Sequence, residues 1–198
     1  VDAEPLEALQ AFLAAYSAEE LVVKPAVSAG ARDTQRYARS QEFAASNHIA
    51  RLLDAGRSVM LQPYLRAVDS RGETALIYFD GQFSHAIRKG ALLQADKPAD
   101  PIPYANGHIT AREADPNERA LAEQALLAAQ RLLHLDEPLA YARVDLIYDD
   151  DGSPRLLEME LTEPSLFLAH APGSAERLAG HLAARLDAAT VRTRTASA

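Results

Sequence analysis

Four polar side chains in the last third of this 198-residue chain have the types and spacing for shared chemistry: Arg143, Asp145, Glu158 and Glu160. They lie in two apolar runs, Arg143-Val144-Asp145-Leu146-Ile147 and Leu156-Leu157-Glu158-Met159-Glu160-Leu161, separated by Asp149-Asp150-Asp151-Gly152. Side chains alternate across a strand, so Glu158 and Glu160 take one face while Leu157, Met159 and Leu161 take the other. Arg143 and Asp145 share a face by the same rule. Paired as a hairpin, the two runs bring three carboxylates and one guanidinium to a single patch. Carboxylates that close repel one another unless a cation neutralises them, and hard oxygen ligands at this density select Mg2+ or Mn2+ over zinc. An acidic hairpin face left in water would show the same alternation; the apolar flanks and the arginine among the acids favour a site. The acidic run 149–151 reads as a solvated turn.

The elements that must hold this hairpin follow from periodicity. Residues 2–16 read as a helix with Leu6, Leu9, Phe12 and Leu13 on one face and Pro5 near its start. Leu21-Val22-Val23 is a buried strand running into Lys24-Pro25, followed by a small-residue loop over 26–33. A second helix is expected over 40–55, with Phe43, Ile49, Leu52 and Leu53 apolar and Gly56 as its C-cap. Strands are expected over 58–65, 73–79 and 82–89, the last two joined by Asp80-Gly81, a strong hairpin signal. Residues 90–112, with Pro98, Pro101 and Pro103, read as a long loop. A helix from Asp115-Pro116 to about 133 follows, then strands over 142–148 and 155–161, a helix over 175–188, and a flexible tail over 190–198. This order is α+β, with antiparallel strands flanked by helices, and not the alternating parallel α/β pattern. Neither G-x-x-x-x-G-K-[ST] nor G-x-G-x-x-G occurs, so a nucleotide site must be built another way.

Composition narrows the partners. With 20 Lys and Arg against 28 Asp and Glu, the net charge of −8 argues against nucleic acid, whose phosphates need clustered cations. It does not argue against a nucleotide, which needs two or three local cations and Mg2+. No apolar run approaches the ~18 residues of a membrane helix. There is no cysteine, so a metal here is held by oxygen or imidazole. A cytoplasmic protein with no membrane partner is expected. Oligomeric state is not set by the sequence, and a homodimer is compatible with it. The six histidines, His48, His85, His108, His134, His170 and His181, show no metal-binding spacing. His85, which alternates with Arg88-Lys89, is the one nearest a candidate pocket.

With these residues in place, the chain resembles the ATP-grasp superfamily, especially its carboxylate–amine ligases of the D-alanine–D-alanine ligase, glutathione synthetase and RimK types. Their R-[VI]-D strand, turn and E-x-N strand match Arg143, Asp145, Glu158 and Glu160, with twelve residues between Asp145 and Glu158. The resemblance implies that Asp145, Glu158 and Glu160 bind Mg2+, with Mn2+ as an alternative, and that Arg143 stabilises the transferred phosphoryl group. Glu160 departs from the family's Asn and adds a negative charge. Lys24, in Val22-Val23-Lys24-Pro25, resembles the lysine that contacts adenine and the α-phosphate. Ser28, Ala29 and Gly30 resemble the loop over the β- and γ-phosphates. Gln62, Tyr64 and Leu65 resemble the hinge that reads the adenine edge, and Glu73 the acid that holds the ribose. Arg88 and Lys89 match the basic pair facing the γ-phosphate; neighbours on a strand point oppositely, so one is central, and alignment favours Lys89. Ser165, just after the hairpin, is a further candidate for substrate or oxyanion contact.

The resemblance implies an ATP-grasp fold whose N-terminal pre-ATP-grasp domain is absent from this chain. Residues 1–66 would form the small lid subdomain, 67–189 the C-terminal subdomain with the metal hairpin, and 190–198 a tail. It implies an ADP-forming ligase that activates a small-molecule carboxylate as an acyl phosphate for attack by an amine or related nitrogen. A phosphotransferase on the same fold and a nonenzymatic nucleotide-binding module are the alternatives.

Overall fold

The structure is a computed structural model that describes residues 4–28, 30–93 and 109–196. Those residues fall into two compact units, one reaching Arg66 and taking in 91–93, the other running from Ala67 to Gly90 and again from 109 onward.

In the first unit, β1 (Glu20–Pro25) is the central strand of an antiparallel sheet ordered β2-β1-β3, with β2 at Gln35–Ala38 and β3 at Val59–Pro63. Two helices, α1 (Pro5–Ala15) and α2 (Glu42–Asp54), supply the apolar layer over it. Leu9 and Leu13 of α1 and Ala45, Ile49 and Leu52 of α2 pack on Leu21, Val23 and Tyr37. Alternation along β1 therefore turns Val22 and Lys24 to the other face, where Val22 stands opposite Arg36 and Gln62 and Lys24 opposite Met60. Gly56, at φ +72°, ends α2, with the Arg57 amide bonded to the Leu52 carbonyl at 3.0 Å as a Schellman closure requires. Phe43 and Leu53 do not belong to the buried stripe of α2; they are 79% and 43% exposed. The face that packs is 45, 48, 49 and 52, because His48 occupies an inward position and bonds the Tyr37 hydroxyl through Nδ1 at 3.0 Å. An inward histidine hid part of the buried face of the helix.

The second unit is a five-stranded antiparallel sheet ordered β6-β5-β4-β7-β8. Its strands are β4 (Glu73–Phe79), β5 (Gln82–Lys89), β6 (Ile109–Arg112), β7 (Tyr141–Tyr148) and β8 (Pro154–Glu160). Asp80 and Gly81, at φ +50° and +74°, make the tight β4–β5 turn that the Asp-Gly pair predicts. A short helix α3 (Ala67–Arg71) leads into β4, α4 (Pro116–Leu132) covers one face, and α5 (Ser174–Ala196) closes the unit. Leu76, Tyr78, Val144 and Leu146 pack with Ala122 of α4. On the opposite face Ala75, Ile77, Phe79 and Ile87 pack with Leu166, Phe167, Leu168 and Leu178.

Four sequence expectations change here. The end of the expected 90–112 loop is strand β6, paired with β5 from Ala86 to Lys89; the rest of that loop, with its prolines and His108, lies outside the described residues after Leu93. The closing helix runs to Ala196 through most of the stretch expected as a tail; Ala189, Arg192, Arg194 and Ala196 are good helix formers, and the threonines between them do not end it. Strand β2 and helix α3 had no counterpart in the reading of the sequence; with four and five residues, they are too short to show a period.

Candidate active site

The centre of the site is the β7–β8 hairpin. Its register places Arg143 opposite Glu160 and Asp145 opposite Glu158, so both pairs face each other across the ladder. Immediately beyond Asp145 the register shifts, with Leu146 opposite Leu156, leaving Leu157 as the additional residue of a bulge. The bulge ends the regular alternation next to the last acid. Among the described residues, Asp145, Glu158 and Glu160 form a cluster in which one carboxylate oxygen from each lies within 4.8 Å of the others.

Two cations are built into this cluster. Arg143 grips Asp145 with two hydrogen bonds, Nε to Oδ1 at 2.9 Å and Nη2 to Oδ2 at 3.0 Å. Its Nη2 also donates to Glu160 and lies 3.6 Å from Glu158. Nη1 donates to the Ser165 carbonyl at 3.3 Å, and the Phe167 ring sits 5.6 Å from the guanidinium carbon. The second cation, Lys89, comes from the far end of β5. Its Nζ lies 2.7 Å from Asp145 and 2.7 Å from Glu73, and Lys89 and Asp145 are 1% and 0% exposed. Lys89 stands opposite Glu73 on β4, whereas Asp145 stands opposite Ala75. The lysine therefore reaches across β4 to the next strand, and the small side chain at Ala75 leaves the room.

Glu73 thus stands in the ion-pair network at the base of the site, where the resemblance had implied a ribose contact. Arg88 is not in the site. As alternation requires, it turns the other way from Lys89, donating to the Arg71 carbonyl at 2.5 Å and the Ser70 carbonyl at 2.7 Å at the end of α3. Gly72, between α3 and Glu73, has φ +71°, and a Cβ there would stand 2.2 Å from the Lys89 carbonyl oxygen, so only glycine lets β4 start this close to β5.

Charge decides the state of these acids. Burial pushes Asp145 up, but the Lys89 and Arg143 cations outweigh it and hold its carboxyl below the usual range. Glu158 goes the other way: desolvation, then the Asp145 carboxylate beside it, raises its pKa. Four carboxylates (Glu73, Asp145, Glu158, Glu160) face two cations, an excess of two negative charges when all are ionised. The donor set fits one hard divalent cation: oxygen ligands only, close together, two of them on half-exposed glutamates, with an unbalanced charge that such an ion would cancel.

The other residues named from the sequence lie in the first unit. Lys24 and Gln62 share the sheet face opposite the apolar layer. Ser28 closes its loop by donating to the Arg32 carbonyl at 2.8 Å, and Gly30 and Ala31 take left-handed φ values of +63° and +54°. Ala29 lies outside the described residues. Arg57, 2.5 Å from Asp33 and 3.2 Å from the Val27 carbonyl, and Arg51, 3.6 Å from Asp33, anchor the loop from behind. In the hinge, the Tyr64 amide is committed to the Glu20 carbonyl at 2.9 Å and cannot read a ligand edge. Its ring lies under Arg36, 3.7 Å from the guanidinium carbon, and Arg36 makes a two-bond pair with Glu20 at 2.8 and 2.7 Å. That Glu20–Arg36–Tyr64 stack was not legible beforehand, because β2 was not.

The chain is 49% identical over 184 residues to the cycloserine biosynthesis protein DcsG of Streptomyces lavendulae, covering 92% of this chain and 61% of the relative. The crystal structure of the D-cycloserine synthetase DcsG superposes with a TM-score of 0.88, over 93% of this chain and 62% of that one. This chain therefore spans about three-fifths of the length of that relative. The ATP-grasp ligase PsnB, complexed with minimal precursor, Mg and ADP, is 20% identical with a TM-score of 0.55, over 90% of this chain and 50% of its own. D-alanine–D-alanine ligase from Bacillus anthracis, complexed with ATP, is 18% identical with a TM-score of 0.54, over 90% and 55%. No protein-family model matches the chain.

Proposed function

We propose, from the premise that this chain has the ATP-grasp fold, that it is the nucleotide- and metal-binding part of an ADP-forming carboxylate–nitrogen ligase. The observation that carries the reading is the hairpin patch itself, in which Asp145 faces Glu158 and Arg143 faces Glu160 above a buried Lys89.

The carboxylate of the substrate attacks the γ-phosphorus of ATP, and ADP leaves. The neutral nitrogen nucleophile then attacks the acyl carbon of the acyl phosphate; the acyl C–O bond breaks, and phosphate leaves and takes up the proton that the nitrogen loses. Asp145, Glu158 and Glu160 would hold Mg2+, which supplies charge neutralisation at the phosphates. Arg143, fixed in the plane set by Asp145, would bring its positive charge and the one Nη1 N–H left over from its four bonds within the protein to negative charge that grows in the transition state. Lys89 keeps Asp145 ionised inside the protein and so keeps the guanidinium anchored. Lys24, the loop of Ser28, Ala29 and Gly30, and the hinge residues Gln62 and Leu65 would hold the nucleotide. Phosphoryl transfer of this kind asks the protein for position and charge more than for proton chemistry, and no general base stands out among these residues.

The name of the 49%-identical relative narrows the substrate. Opening the one amide bond of the D-cycloserine ring gives a 2-amino acid whose side chain ends in an aminooxy nitrogen. The carboxylate and the nucleophile then belong to one molecule, and ligation is ring closure. An isotope experiment on the full-length protein tests this. With that aminooxy amino acid labelled with 18O in its carboxylate, Mg2+ and ATP, one label should appear in the phosphate released with each ring closed. Rings closed with no label in the phosphate would overturn activation as an acyl phosphate, and a stable phosphorylated product with no ring closed would replace the ligase reading with phosphotransfer.

A further inference from the structure

His85 lies on β5, buried to 8% exposure, on the same face of the sheet as Lys89 but four residues away from it. It touches none of the acids. Its hydrogen bonds run in one direction. Arg177 of α5 donates from Nη2 to the Ser84 oxygen at 3.0 Å. The Ser84 hydroxyl, with its proton then free to point onward, meets His85 Nδ1 at 2.9 Å, and His85 Nε2 meets the Leu166 carbonyl at 2.9 Å. A carbonyl only accepts, so Nε2 carries the proton and Nδ1 accepts from Ser84: the ring is a neutral imidazole in one tautomer. Burial, with Arg177 nearby, lowers the pKa of His85 and keeps it there. The Phe79 ring stands edge-on to the imidazole at 6.1 Å and holds its plane.

The segment that His85 grips is the one that completes the surroundings of Arg143. Ser165 gives its carbonyl to Arg143, and Phe167 lays its ring near the guanidinium. This segment is not relaxed. Glu163 and Phe167 both have φ +49°, a left-handed conformation that is unfavourable for a residue with a side chain and persists only when neighbours enforce it. One neighbour is Ser174, whose hydroxyl donates to the Leu168 carbonyl at 3.0 Å. Another, bonded at Leu166 inside the segment, is His85.

We propose that His85 is a positioning residue: through its Nε2–H bond to the Leu166 carbonyl it holds the 163–167 segment in its strained form, and so sets the aim of the Arg143 guanidinium. The relay from Arg177 through Ser84 fixes the tautomer that makes this possible. Its bearing on catalysis rests on the ligase reading above; its bearing on Arg143 does not.

The test follows the Arg143 side chain directly. In the full-length protein the Arg143 Nε–H, bonded to Asp145, is followed by proton–nitrogen NMR and assigned by its loss in Arg143→Lys. In His85→Leu its resonance should move and its protection from exchange should fall by about two- to tenfold, the range one lost hydrogen bond gives. His85→Gln, whose amide nitrogen replaces Nε2–H, should restore both. Ser84→Ala, a milder change, should shift the resonance in the same direction and serves if His85→Leu does not fold. An Arg143 signal unchanged in a folded His85→Leu or Ser84→Ala protein would overturn the proposal, as would His85→Gln behaving like His85→Leu. A second arm measures binding of fluoroaluminate, a mimic of the transferring phosphoryl group, in the presence of Mg2+ and ADP. Affinity for it should fall by a similar factor in His85→Leu, with affinity for Mg2+ and ADP unchanged. Failure of the wild-type protein to bind fluoroaluminate at all would count against the ligase reading alone.

Discussion

Lys89 carries two carboxylates in a place that excludes water. Removing one partner of a buried ion pair strands the other and costs roughly 3–5 kcal/mol. Lys89→Met should therefore destabilise the protein by about that amount, read by denaturant unfolding, because it strands Asp145 and Glu73 together. Glu73→Gln should cost less, since Asp145 still pairs with the lysine. Equal losses in the two variants would mean that the network is not shared. Arg143→Lys makes the complementary point. It keeps the charge and loses the two-pronged grip on Asp145, so kcat should drop by roughly 10²–10³-fold, as for loss of a preorganised transition-state donor, with little change in stability. Among residues, the hairpin acids and Arg143 were legible in the sequence because period-two alternation puts them on one face. The partners of Lys89 were not, because its contact with Asp145 spans an intervening strand and depends on a small residue at Ala75.

That dependence is a property of the sheet as an element. Ala75→Leu would fill the space the Lys89 side chain crosses on its way to β7. The variant should fold, lose about 1–3 kcal/mol from overpacking, and release Asp145 from its lysine; a crystal structure with the Lys89–Asp145 contact intact would contradict this account. The three-stranded sheet offers a pH test. Hydrogen bonding by Arg36, outweighing burial, holds the Glu20 carboxyl below its ordinary 4.5. The unfolded chain therefore takes up the proton first as pH falls. The stability contributed by Glu20 is complete above pH 4.5 and fades as pH drops through the lower folded value. Glu20→Gln should lose about 1–3 kcal/mol at neutral pH, and the gap to wild type should narrow in acid; a gap independent of pH would assign the loss to packing. Strands β4, β5, β7 and β8 were readable because each is a run of seven or eight residues next to a turn signal such as Asp80-Gly81. Strand β2 and helix α3 were not, and in α2 Ile49 and Leu52 proved buried while Phe43 and Leu53 did not, because His48, a polar residue, takes an inward position.

At the scale of the whole molecule, the two units hold different shares of the expected machinery: the first has the residues named for the nucleotide apart from Glu73, and the second has the clustered acids with Arg143 and Lys89. The fold class and the order of the longer elements followed from the sequence, because grouped antiparallel strands flanked by helices mark an α+β chain; the short β2, α3 and β6 did not. No composition or period could supply what the chain's likeness to a longer relative leaves outside it, since this chain spans 61% of that protein. Central to the proposed function is magnesium held by acids from two paired strands beneath a nucleotide's terminal phosphates. Calorimetry of ATP binding to the full-length protein, with and without Mg2+, tests it most directly. Binding should depend on Mg2+ in the wild type, and Glu158→Ala should lose that dependence and most of the affinity. Nucleotide affinity and metal dependence both unchanged in Glu158→Ala would contradict it.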